Sequence, residues 1–123
     1  MDTVLLFTGS IGIFAWGVAH IIPTPAIVRG FGPLSPDNRR IITMEWVAEG
    51  LALCFIGVLV FTAAARFGSD SQTAVFVGRF GAGMLLAMAL LSALTGARTS
   101  ILPMRLCPFV KSLAAVLFLI ATL

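Results

Sequence analysis

Charge is what this sequence has least of. Of 123 residues only 11% are Asp, Glu, Lys or Arg, against 59% hydrophobic residues. The mean hydropathy is +1.09. A water-soluble domain of this length must coat its surface with polar side chains, and this chain has too few. That excludes a soluble fold and indicates one all-α integral membrane domain, residues 1–123, with the lipid bilayer as its main partner. The net charge of +3 does not point to a nucleic-acid partner. Its basic residues sit at the ends of apolar segments, where they set topology and anchor in headgroups.

Nucleophiles and metal ligands are scarce as well. The two cysteines are Cys54, in the middle of an apolar segment, and Cys107, near the start of another. At different depths they exceed the ~7 Å Cα separation a disulfide tolerates. Both read as small buried hydrophobes, which disfavours a dithiol redox enzyme. The one histidine, His20, cannot supply both axial ligands of a haem. No cluster of metal ligands, no catalytic residue and no cofactor is indicated. A basic leader is also missing, because Asp2 follows Met1. The first apolar segment is therefore expected to be retained, and no soluble domain or polar tail is expected.

Four apolar segments remain, each suited to a bilayer crossing of ~20 residues. The first runs over 3–22, with Gly9, Gly12 and Gly17 as smooth surfaces for neighbours, and Pro23 and Pro25 end or kink it. Ser35-Pro36-Asp37 reads as a helix start, with Ser35 as N-cap and Pro36 at the first helical position. The second apolar segment follows over 41–65, where Gly50 and Gly57 mark a close-packing stripe. The third runs over 74–97, with Arg79 as a snorkelling anchor and Ala89, Ala93 and Ala97 as a small-residue contact. The fourth runs over 105–123, with Pro108 in its first turn. Short loops make sequential helices antiparallel neighbours, an up-down bundle.

Inside this apolar chain, two carboxylates stand out. Glu45 and Glu49 in Met44-Glu45-Trp46-Val47-Ala48-Glu49-Gly50 are four residues apart, on one helix face. At 1.5 Å per residue they lie ~6 and ~12 Å inside one end of the second segment. Lys111 lies ~9 Å inside the same end of the fourth, and His20 near that end of the first. The only histidine, the only lysine and both membrane glutamates thus share one leaflet. Three uses fit. In a polar staple, one glutamate pairs with Lys111 and His20 donates to the other. In a ligand or proton site, two glutamates against one lysine leave a surplus carboxylate for a proton, cation or amine, with Trp46 and Trp16 as aromatic walls. The third is simple snorkelling to headgroups.

The pair Glu49-Gly50, followed by Leu51-Ala52-Leu53-Cys54-Phe55-Ile56-Gly57, resembles the DoxX-like family of small four-helix bacterial membrane proteins. Leu106-Cys107-Pro108 is similar to a feature of uncharacterised relatives. The resemblance implies an inner-membrane bundle of accessory role. Small size and short loops fit a homo-oligomer or a subunit beside a larger partner, and the resemblance implies a membrane oxidoreductase as that partner, since some members are linked to quinone-coupled thiosulfate oxidation. It implies no specific catalytic residue. Two other functions compete. One is a small proton-coupled transporter of the multidrug-resistance type, although that family carries its glutamate in the first helix. The other is a membrane enzyme on a lipidic substrate using Glu45, Glu49 and His20 as acid, base or cation stabiliser.

Arg29, Arg39, Arg40, Arg98 and Arg105 flank the first and third loops, while the second carries Arg66 balanced by Asp70. The positive-inside rule puts the first and third loops in the cytoplasm and both termini outside. In Asp37→Cys and Thr99→Cys variants, a membrane-impermeant maleimide should label only permeabilised cells. Labelling of both in intact cells reverses the topology.

Overall fold

The computed structural model describes residues 2–123. Its helices are α1 (Asp2–Ile21), α2 (Thr24–Gly30), α3 (Pro36–Phe67), α4 (Gln72–Leu94) and α5 (Leu102–Ala121), with a 3-10 turn, Gly96–Arg98, between the last two. No strand occurs among the described residues. Helices α1, α3, α4 and α5 are long and apolar enough to cross a membrane. This is the architecture of a multi-pass membrane protein.

The helix ends follow from local chemistry. Ser35 accepts a hydrogen bond from Asn38 N at 3.1 Å, capping α3 with Pro36 in the first turn. Ser71 caps α4 in the same way through Ala74 N at 3.1 Å. Pro23 and Pro25 do not kink α1. They end it at Ile21, and the chain restarts as the separate short helix α2. Gly68, at φ 88°, occupies the left-handed region that closes α3.

Helix α5 starts at Leu102 rather than near Arg105, and Pro103 takes the first-turn position. Pro108 therefore falls inside the helix, against expectation. It offers no N–H to the carbonyl of Met104. The earlier start also places Lys111 deeper than the sequence suggested, by ~4.5 Å.

The four long helices form a ring in the order α3, α1, α5, α4. The α1–α3, α1–α5 and α4–α5 faces pack closely, and the α3–α4 face is the sparsest. The α1–α3 pair meets nearly backbone to backbone. A Cβ on Gly17 would sit 2.7 Å from both Gly50 O and Cys54 Sγ, and one on Gly57 would sit 2.7 Å from Ser10 O. The Gly50/Gly57 stripe is thus a contact, as read, with Gly17 opposite it. Gly12 meets nothing within 4 Å and faces outward.

The core at the ring centre is Leu6, Ile13, Leu53, Val60, Leu85 and Phe118, all essentially unexposed. Gly9 lets the Phe118 ring lie on α1, at 2.7 Å from the Cβ that glycine lacks. Large apolar side chains such as Ile11, Phe80, Phe109 and Leu113 point outward, as they must toward hydrocarbon.

The small-residue face of α4 differs from the expected one. Ala89 is buried, but Ala93 is exposed and Ala97 lies in the 3-10 turn. Steps of four residues overshoot a 3.6-residue turn by ~40° each. The observed stripe, Ala74, Gly78, Ala82, Leu85 and Ala89, takes one step of three and so stays on its face. Arg79 is exposed, as an anchor should be, and it also donates to the Thr122 carbonyl at the end of α5.

Both cysteines are free thiols, as expected. Cys54 contacts the Phe14 carbonyl at 3.6 Å.

The α1–α3 contact predicts an asymmetry between glycines. Gly57→Leu should cost several kcal/mol, about 3 or more, because backbone cannot yield as a side chain can. Gly12→Leu should be nearly neutral. Thermal unfolding in detergent measures both, and equal effects would contradict the packing described.

Candidate functional site

The site lies at the end of the bundle where α1 finishes, α3 and α5 begin and α4 ends. Helix α5 carries Lys111 inward, and its residue is 0% exposed. A bare ammonium there would be very costly in hydrocarbon, so its partners decide whether it is tolerated. Two are supplied. Glu49 Oε1 on α3 forms an ion pair with Nζ, and Ser92 Oγ on α4 accepts a second hydrogen bond at 2.7 Å. Ser92 in turn donates to the Met88 carbonyl at 2.8 Å. One lysine thus ties three helices together.

The other carboxylate oxygen of Glu49 faces α1. His20 Nε2 lies 3.6 Å from Oε2, too far for a hydrogen bond. His20 is 6% exposed, and Nε2 has no hydrogen-bond partner. Trp46, one turn before Gly50 on α3, fixes the ring from its other side. The two rings stack at 4.2 Å and 11°, and the indole Nε1 donates to the His20 carbonyl at 2.7 Å. The histidine is therefore held in place, with a free nitrogen directed at the carboxylate.

The ion pair is lopsided. The Lys111 side chain is 1% exposed and that of Glu49 34%. The exposed part of Glu49 faces a cleft of about 490 Å³. Its polar lining is Glu45, Glu49, His20, Ser92 and Thr95, and its apolar lining includes Trp46, Met84, Met88, Leu91 and Met104. Glu45 is exposed in the cleft wall and makes no ion pair among the described residues. Trp16 does not wall this cleft. It lines an apolar neighbouring cavity of about 330 Å³, with His20, Trp46 and Met104 as shared walls. Its indole Nε1 is buried without a partner.

Glu49, Lys111 and His20 are brought together, Trp46 stacks on His20, Glu45 stands at the cleft, and Trp16 lines the neighbouring cavity. Sequence reasoning passed over Ser92. It and Arg79 are the polar side chains between Ala74 and Leu94, and Ser92 is within one turn of the α4 end. The depth argument that found Lys111 applies to it equally. No group of three or more potential metal-ligating residues stands together among the described residues. No family model, curated protein or solved structure matches the chain.

The difference in exposure predicts which half of the pair matters more. Glu49→Gln leaves a fully buried ammonium without its counter-charge and should cost about 3 kcal/mol. Lys111→Met leaves a carboxylate that still reaches the cleft, and should cost less. The double variant should recover part of the Glu49→Gln loss, a coupling of about 1 kcal/mol or more. A thermal-unfolding cycle in detergent measures this, and strict additivity would contradict the pairing.

Proposed function

We propose that the chain is a small ligand-binding module of the bacterial inner membrane, of the DoxX-like type. Its cleft takes a monocation bearing N–H donors, in the simplest case a primary ammonium. The supporting observation is the charge count at the cleft: Glu45 and Glu49 against a single buried Lys111, with His20 Nε2 unpartnered. That leaves one negative charge in excess facing a space whose other walls carry no charged carboxylate or ammonium and are mostly apolar. An incoming ammonium restores neutrality where the dielectric is low and charge pairing is strong.

The acceptors are spaced for it. Glu49 Oε2 is free of the lysine and, with Glu45, faces the cleft, while His20 Nε2 lies buried 3.6 Å behind it. Two N–H groups of a primary ammonium find acceptors on the carboxylates of Glu45 and Glu49 in the cleft wall. The indole of Trp46 adds an electron-rich aromatic wall.

In the membrane the module sits with the first and third loops, and hence the cleft mouth, toward the cytoplasm and both termini outside. The basic residues flanking those loops support that orientation. Its accessory role is to hold the ligand, alone as a homo-oligomer or beside a larger membrane partner.

Purified protein in phosphatidylcholine nanodiscs should bind hexylammonium saturably, read by tryptophan fluorescence. Glu45→Gln should weaken binding about tenfold while leaving thermal stability unchanged, since Glu45 holds no structural partner. Tetramethylammonium, which has no N–H, should bind more weakly than hexylammonium. Absence of saturable binding, or binding indifferent to Glu45, overturns the reading.

A further inference from the structure

The cleft does not end at Glu49. Along α3 its lining residues are Glu45, Trp46, Ala48 and Glu49, and the stripe through Glu45, Ala48 and Glu49 continues one turn at a time through Ala52, Phe55, Ile56 and Leu59. These last four form one wall of a second hollow of about 370 Å³ between α3 and α4. Met84 belongs to both spaces. All residues lining the second hollow are apolar. From Glu45 to Leu59 the stripe spans ~21 Å. It follows the sparsest helix contact in the ring.

The floor is closed by a close approach at Gly81, whose Cβ would lie 3.2 Å from Val60 and 3.5 Å from Ile56. The sides are open. Phe55, Phe80 and Met84 are 64, 68 and 52% exposed, so the groove faces the hydrocarbon of the bilayer along its length.

We propose that the groove binds a single-chain cationic amphiphile, its primary ammonium in the cleft and its tail along the α3–α4 seam, loaded sideways from the bilayer. This rests on the reading of the cleft as an ammonium site. Two features select this occupant. The seam is graded from two carboxylates at one end to purely apolar residues at the other, matching a molecule with one cationic head and one hydrocarbon tail. Glu45, in the cleft wall without an ion-pair partner, is a carboxylate that an apolar helix of a partner protein would bury uncompensated. Moving a tail from lipid into the groove gains little hydrophobic energy, so the head holds the molecule and the seam directs its tail.

The test is a tetradecyl primary amine with a terminal diazirine, photolysed with the protein in phosphatidylcholine nanodiscs and mapped by peptide mass spectrometry. Adducts should concentrate on residues 52–59 and 76–84. They should fall about tenfold in Glu45→Gln, where the head is no longer held. They should also fall in Ala52→Trp, which fills the groove, and persist in Gly83→Leu, which lies outside it. Adducts spread evenly over outward residues such as Ile11, Phe109 and Leu113, with Glu45-dependent hexylammonium binding intact, overturn the groove and spare the cation site. So does cross-linking of the seam to a second copy in place of the amine. Loss of all Glu45-dependent amine binding removes the cation site itself.

Discussion

Lys111 is the constraint around which this bundle is arranged. A charged amine with no exposed surface, on a helix built to cross a bilayer, is tolerated only with its partners in place. Glu49 and Ser92 supply them from two other helices. The α1–α3 glycine contact sets the distance at which this works. It brings α1 close enough for the His20 ring to approach the far oxygen of Glu49 and stack on Trp46. The polar cluster and the tight helix pair are thus one device. The glycines position the helices, and the ion pair selects the rotation in which those glycines meet.

The same arrangement explains why the bundle is open on one side. Three helix faces in the ring are closed by small residues and by the Phe118-centred core. The α3–α4 face has no comparable zipper. Exposed Phe55, Phe80 and Met84 border it, and Glu49 shows a third of its side chain there. Pro108 adds a local weakness on the opposite wall. It removes one rung of the α5 ladder at Met104, and Met104 lines each of the hollows around Trp46. Stability and openness are therefore separated in space, with packing concentrated on α1–α3 and room left beside α4.

Much of this was legible in the residues. Hydropathy and length locate four spans because water cannot satisfy an apolar surface of that extent. The Ser35-Pro36 start and the Gly50/Gly57 stripe carry their own local chemistry, and the structure forms both. The shared depth of His20, Glu49 and Lys111 followed from helix rise alone. What depth could not provide was rotation about each helix axis. Rotation decides that Glu49 and not Glu45 takes the lysine, that Trp16 turns to the neighbouring cavity, and that Gly12 and Ala93 face outward. The misplaced start of α5 has a different cause. Arg105 marks a polar boundary in the sequence, whereas Pro103 in the first turn begins the helix three residues earlier and moves Pro108 into its interior. Ser92 was missed because a lone serine in an apolar run carries little signal until a buried donor is known to face it.

The central claim is that Lys111 is a buried ammonium held by Glu49. The sequence contains one lysine, so a sample labelled with ¹⁵N-lysine and ¹³C-glutamate carries a single Nζ resonance. Solid-state NMR in lipid bilayers should show that nitrogen as a protonated ammonium with a short dipolar contact to one glutamate carboxyl carbon. The contact should vanish in Glu49→Gln and survive in Glu45→Gln. A neutral amine, or a contact that persists without Glu49, would contradict the account.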